Sequence, residues 1–293
     1  MSLVAFVQAA LGAITIAFSY IFFTHALKNK DSMSNVGWAS LSGVGFIANF
    51  FDTLGIGSFA PTTAMFKFFK LVPDRLFPGT LNVSMTIPVV IEALLFITII
   101  EVEPITLITM IAASAIGAVM GAGIVAKLPE RKIQMGMGIS LLIVAFVFLA
   151  GLLKIMPVGG SAIGLTGGAL IAGIIGNLIL GALMTIGIGL YAPCMALVYA
   201  LGMSPKVAFP IMMASCAFLM PAASIKFVKE SAYDIKASIA ITFAGSIGVL
   251  IAAYIVKELP LETLKWMVVC IIIYTAITML RSAMKKADTN ISA

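Results

Sequence analysis

Charge is scarce in this sequence: Asp, Glu, Lys and Arg together supply 10% of 293 residues, while 61% are hydrophobic. Apolar runs of about 20 residues recur from one end to the other, far more than a soluble core needs, so an ordinary water-soluble domain is excluded. There is one histidine, His25, and the three cysteines, Cys194, Cys216 and Cys270, lie in apolar segments without metal-ligand spacing. That pattern excludes a disulfide framework and reads as packed thiols. No Gly-x-Ser-x-Gly elbow, His-Glu-x-x-His helix or Walker loop occurs, so no enzyme activity, cofactor or direct use of ATP is expected. The short alternating segments of a transmembrane barrel are missing as well.

What is present is the pattern of an all-α polytopic membrane protein. The net charge is +6, yet the basic residues sit in short loops between apolar runs. There they encode orientation in a bilayer rather than contacts to nucleic acid. The first apolar run, residues 3–27, has no basic residue before it and is too long for the apolar region of a signal peptide. It therefore reads as a retained helix, with His25 at its interfacial end.

Two stretches interrupt this regularity, TLGIGSFAP at 53–61 and TIGIGLYAP at 185–193. Sliding the sequence against itself by 132 positions aligns 53–78 with 185–210 without a gap, and 10 of these 26 positions are identical, three of them prolines. With a shift of 131, Leu128 and Pro129 fall on Leu259 and Pro260, and Gly117 falls on Gly248. The reading is an N-terminal transmembrane helix and loop (1–34), a first repeat (35–156), a second repeat (157–286) and a cytoplasmic tail (287–293). Each repeat opens with a broken apolar segment, about 36–70 and 164–201. Three conventional spans follow it, about 80–100, 104–126 and 133–153 in the first and 207–227, 237–256 and 261–282 in the second.

The distribution of positive charge decides what the broken segments do. If each enters and returns on one side, 14 of the 18 Lys and Arg residues lie inside and only Lys154, Lys206, Lys257 and Lys265 lie outside. If each crosses once, the split is 9 to 9. A hairpin followed by three spans crosses an odd number of times, so the two repeats are inverted. The expected placement is in the cytoplasmic membrane, N-terminus outside and C-terminus inside. Inverted repeats with interrupted helices are the recurring design of secondary transporters, with the substrate near the midplane.

Irregular backbone at membrane depth is tolerated where it is buried in protein or lines a cavity. Gly55, Gly57, Gly187 and Gly189 let the chain turn and approach a ligand closely. Pro61 and Pro193 fit the first turn of the helix that leaves each break. Such helix starts point N–H groups and a positive dipole end at the centre, where a small anion can bind. The candidate substrate-binding residues are these glycines with Thr53, Ser58, Thr62, Thr80, Asn82, Thr185, Cys194 and Ser215. Two acids lie in apolar segments, Asp52 and Glu92. An intramembrane acid faces the interior and marks a proton or cation path, so both are candidates for coupling. By contrast, Gly117-xxx-Gly121 reads as close helix packing, and Lys67 and Lys226 as solvated anchors near helix ends.

The tandem Gly-x-Gly-x-x-x-Pro breaks, each followed about 12 residues later by Pro-x-x-x-Phe-Pro (73–78 and 205–210), resemble the TauE/SafE sulfite exporter family of membrane permeases. Members usually carry a longer glycine run at the break and Thr-Ser beyond the second proline. Here those positions read Gly57-Ser58-Phe59, Gly79-Thr80 and Ile211-Met212. The resemblance implies movement of sulfite or organosulfonates such as sulfoacetate. Export of a monoanion from a negative-inside cell gains about 2.3 kcal/mol per 100 mV and needs no coupling, whereas import does. A cation-coupled importer of another small oxyanion or carboxylate is the competing expectation, and an intramembrane sensor or enzyme using the same cavity is a third. Homo-oligomerisation stays open, because lipid-facing and partner-facing apolar surfaces share one composition.

Overall fold

The computed structural model describes residues 3–96, 102–155, 159–255 and 261–291. These form helices α1 (Leu3–Lys28), α2 (Trp38–Thr53), α3 (Phe59–Phe69), α4 (Phe77–Phe96), α5 (Pro104–Val125), α6 (Glu130–Leu152), α7 (Gly167–Met184), α8 (Tyr191–Ala200), α9 (Pro205–Lys229), α10 (Ile235–Ile255) and α11 (Leu261–Ile291). Eight of them, all but α2, α3 and α8, are long and apolar enough to cross a membrane. The chain is a multi-pass helical membrane protein. Lys257, the Leu259 and Pro260 match and the end of the 80–100 span lie outside the described residues.

Helix ends follow local chemistry. Pro104 and Pro205 occupy first-turn positions of α5 and α9, where a missing N–H removes nothing. Glu103 caps α5, its carboxylate accepting from the N–H groups of Ile105 and Thr106 at 3.0 and 2.7 Å. Both apolar segments expected to be broken are split, but unequally. α7 has 18 residues, about 27 Å of helix, whereas α3 and α8 have 11 and 10, about half a bilayer. The segment read as a tail from 287 continues α11 as far as Ile291.

α4 and α9 are the most buried of the long apolar helices and pack against each other at the centre. Around them α2 lies along α10, α7 along α5, α10 along α4 and α5 along α9. α6 pairs with α11, α3 leans on α11, α8 on α6, and α1 lies against α9 and α4. Small residues set these distances: a Cβ added to Gly117 would sit 1.9 Å from the Leu178 carbonyl oxygen, and one on Gly121 2.7 Å from that of Ala182. The Gly117-xxx-Gly121 pair therefore joins α5 to α7 by backbone contact, as its spacing predicts.

Polar bonds identify the two ends of the bundle. At one, Lys67 at the end of α3 pairs with Asp74 and also donates to Ser282 of α11. Gln134 of α6 donates to the same Asp74 carboxylate at 2.8 Å, and Arg131 to the Ala283 carbonyl. Lys127 pairs with Glu230, and Ser34, before α2, donates to Asp234, before α10. α2 thus begins and α3 ends at this end. At the other, Glu103 N–H donates to Ile163 O, Leu165 N–H to Thr106 Oγ1 and Ser204 N–H to Ala162 O, between 2.8 and 2.9 Å. α7 begins and α8 ends there.

One expectation changes, and His25 keeps its place at the end of α1. Lys67 is a bonded, part-buried member of a network rather than a solvated anchor, because three helix ends converge on Asp74. His25 is likewise tied down, with Nδ1 at 2.8 Å from the Tyr233 hydroxyl and Nε2 at 3.2 Å from Ser231 Oγ. Lys226 is exposed, as expected.

Candidate functional site

The first break is a Schellman cap: Ile56 N–H donates to Phe51 O and Gly55 N–H to Asp52 O, with Gly55 at φ +87°. Gly57 follows at φ +86°. The left-handed region costs an L-residue with a side chain about 1–2 kcal/mol, so both positions call for glycine. The second break is built differently. Thr185, Ile186 and Gly187 donate to carbonyls three residues back, Gly187 takes φ +115°, and Gly189 has no positive φ. Neither α3 nor α8 has a side-chain N-cap, and Pro61 and Pro193 are the third residue of each. Both helix starts keep uncapped first turns, as the sequence predicts.

A cavity of about 570 Å³ lies where the breaks meet. Gly55, Gly57 and Phe59 line it from the first break, and Gly189, Tyr191 and Ala192 from the second. A Cβ on Gly55 or Gly57 would meet nothing within 4 Å, and one on Gly189 only Phe59. These glycines border open space, unlike the packing glycines of α5. The first turns of both α3 and α8 open on the cavity, so two positive dipole ends converge on it. The lining is otherwise mainly apolar, from Phe148 and Val144 of α6 and Phe209 and Met212 of α9. Among the described residues its one charged member is Lys154, just past the end of α6, on the side where α7 begins.

Of the residues singled out in the sequence, Thr53, Gly55, Gly57 and Gly189 line the cavity. Thr53 Oγ1 donates to Asn49 O. Ser58 is buried behind the first break, with its hydroxyl and N–H toward the Asp52 carboxylate. Thr62 is buried and its hydroxyl has no hydrogen-bond partner. Gly187 packs against Met137, and Thr185 bonds Ala182 O beside Gly121. Cys194 is buried, and Ser215 accepts from Asn177 at 2.9 Å. Thr80 and Asn82 lie elsewhere: Thr80 accepts from Asp234 N–H and Asn82 donates to Pro78 O, at the start of α4.

Asp52 and Glu92 are buried in the same region. They are 2% and 0% exposed, and the two carboxyls lie within electrostatic reach of each other. Neither forms an ion pair among the described residues. The Tyr191 hydroxyl faces Glu92, yet neither Glu92 oxygen nor that hydroxyl completes a hydrogen bond of ordinary geometry. Tyr191 also borders the cavity, so it touches the open space and faces Glu92. Tyr191 and Lys154 are the residues that sequence reasoning missed. Position in a break was a usable signal for Tyr191, whereas Lys154 read only as a loop charge.

Among the described residues no group of three His, Cys, Asp or Glu side chains could hold a metal. Fold and cavity together define a multi-pass membrane protein with a central site at two helix breaks. No family model matches the chain, nor does any curated protein or solved structure.

Proposed function

We propose that the protein is a secondary transporter of a small anion, built as two inverted repeats that work by alternating access. One observation carries the reading: two uncapped helix starts from separate halves of the chain open on the same cavity with Lys154 at its edge. Backbone N–H groups and dipoles hold an oxyanion without a permanent counter-charge at the centre, which lets it leave again.

The inverted repeat is supported by packing. Exchanging α2–α6 for α7–α11 turns the α2–α10 pair into α7–α5, α4–α10 into α9–α5 and α3–α11 into α8–α6, and leaves α4–α9 and α6–α11 unchanged. The broken segments also enter from opposite ends of the bundle. Alternating access is supported by the asymmetry of closure. The cavity reaches toward Lys154 at one end, while at the other the Lys67–Asp74–Gln134 network ties α3 to α6. The 14 to 4 charge split supports an orientation in the cytoplasmic membrane with that tied end on the inner side.

Sulfite and organosulfonates, the substrates implied by the TauE/SafE resemblance, are the anions to try first. Coupled import is the second reading, favoured by the buried, unneutralised Asp52 and Glu92. Thermal stabilisation of the purified protein across sulfite, thiosulfate, sulfoacetate, taurine and simple carboxylates tests the class. Stabilisation by one anion, with flux of that anion into proteoliposomes, is expected. A flat response to the whole panel overturns the reading.

A further inference from the structure

Glu92 sits on α4 with no solvent exposure and both oxygens unbonded, opposite a Tyr191 hydroxyl that is also unbonded. The groups that face this pair are few, and on Asp52 they include the hydroxyl and N–H of Ser58. Asp52 acts on Glu92 from the end of α2, and the Cys216 thiol of α9 lies within electrostatic reach of both carboxyls. α1, α3 and α10 also pack against α4, as does the turn Asp74–Leu76 at its start, and of the charges described only Asp52 acts on Glu92. Neither of these buried carboxyls has a cation beside it among the described residues, and an intramembrane acid in that position marks a proton or cation path.

We propose that Asp52 and Glu92 share a proton, and that Tyr191 links this pair to the cavity so that the anion and a further proton bind together. This rests on the anion reading of the cavity. An anion at the starts of α3 and α8 sits on the cavity side of Tyr191 and adds negative charge beside the pair, so the pair takes up a proton. Linkage makes the effect reciprocal: the proton tightens the anion by the factor by which the anion tightens the proton. The proton enters from cavity water. It bonds to the Tyr191 oxygen as the proton already on that oxygen passes to a Glu92 oxygen, and the tyrosine ends neutral. A monoanion carried with one proton crosses without net charge, so the membrane potential does not oppose its import.

Sulfoacetate is the probe, because both of its acidic groups are ionised near neutral pH. Mixed with purified protein in weakly buffered detergent containing a pH indicator, it should cause uptake of one proton per anion bound. Binding should tighten about tenfold per unit fall in pH across the range where the pair titrates. Glu92→Gln, or Asp52→Asn if that variant does not fold, should take up none and lose the pH dependence. Tyr191→Phe should keep the stoichiometry and slow proton-driven flux in proteoliposomes. Anion binding without proton uptake overturns the proposal and leaves anion transport standing, as does tightening by sodium at fixed pH in place of protons. If no anion binds, the transport reading fails by itself. The shared proton is then read by infrared difference spectroscopy, as a protonated-carboxyl band present in the wild type and missing in Glu92→Gln. Absence of that band from the wild type overturns the proton site.

Discussion

A Cβ built on Gly189 would lie 3.9 Å from the Cβ of Phe59, which places the second helix break directly against the first residue of the helix leaving the first break. The contact joins residues far apart in sequence, and both of them line the cavity. A side chain at Gly189 must enter that gap. Gly189→Leu should abolish anion flux while the protein keeps its size-exclusion profile, since φ there is ordinary. Unchanged flux would mean that the breaks do not form the path.

Gly57 behaves differently, because space is free around it but its φ of +86° is not open to other residues at low cost. Gly57→Ala should lower stability by about 1–2 kcal/mol through backbone strain. Thermal unfolding in detergent measures this, and an unchanged midpoint would contradict the left-handed geometry.

Gly117 supplies the contrast. Its neighbour is backbone, the Leu178 carbonyl, which cannot swing aside as a flexible side chain can. Gly117→Ala should push α5 from α7 and cost about 1–3 kcal/mol, seen as a lower unfolding midpoint.

Lys154 carries the only charge in the cavity lining among the described residues. Lys154→Gln should raise the KM for anion transport severalfold at low ionic strength. Added salt should narrow the gap, because an exposed charge acts over about a Debye length. A salt-independent difference would point to a direct structural role instead.

Glu103 tests the cap of α5 by pH. Hydrogen bonds from the Thr106 hydroxyl, the Thr106 N–H and the Ile105 N–H hold its carboxyl below the usual glutamate range. A lowered folded-state value means that the stabilisation is complete above the unfolded-state value and is lost as pH falls through the folded one. Glu103→Gln should therefore unfold earlier than the wild type near neutral pH and converge with it in acid, as followed by thermal unfolding against pH.

Much of the framework is local and was legible in the sequence. Apolar run length sets which helices can span, and glycine and proline set where α2 and α7 must stop and where α3 and α8 restart, because both effects act within one helical turn. The pairing of Asp52 with Glu92 was harder to see: each stood out as an acid in an apolar run, but 40 residues separate them in the chain. Thr80 and Asn82 were misread for a geometric reason. They share α4 with Glu92, but 12 residues of helix put Thr80 about 18 Å along the axis from it, at the end where Asp234 binds it.

By itself, then, the sequence determined a helical membrane protein with two matched breaks, since hydrophobic length and backbone freedom are properties of short segments. Only the tertiary structure decided that the breaks share a cavity, that Tyr191 borders it while facing Glu92, and that Lys154 borders it. Those relationships depend on which helix faces pack together, and in a chain apolar on nearly every face no local pattern encodes that choice.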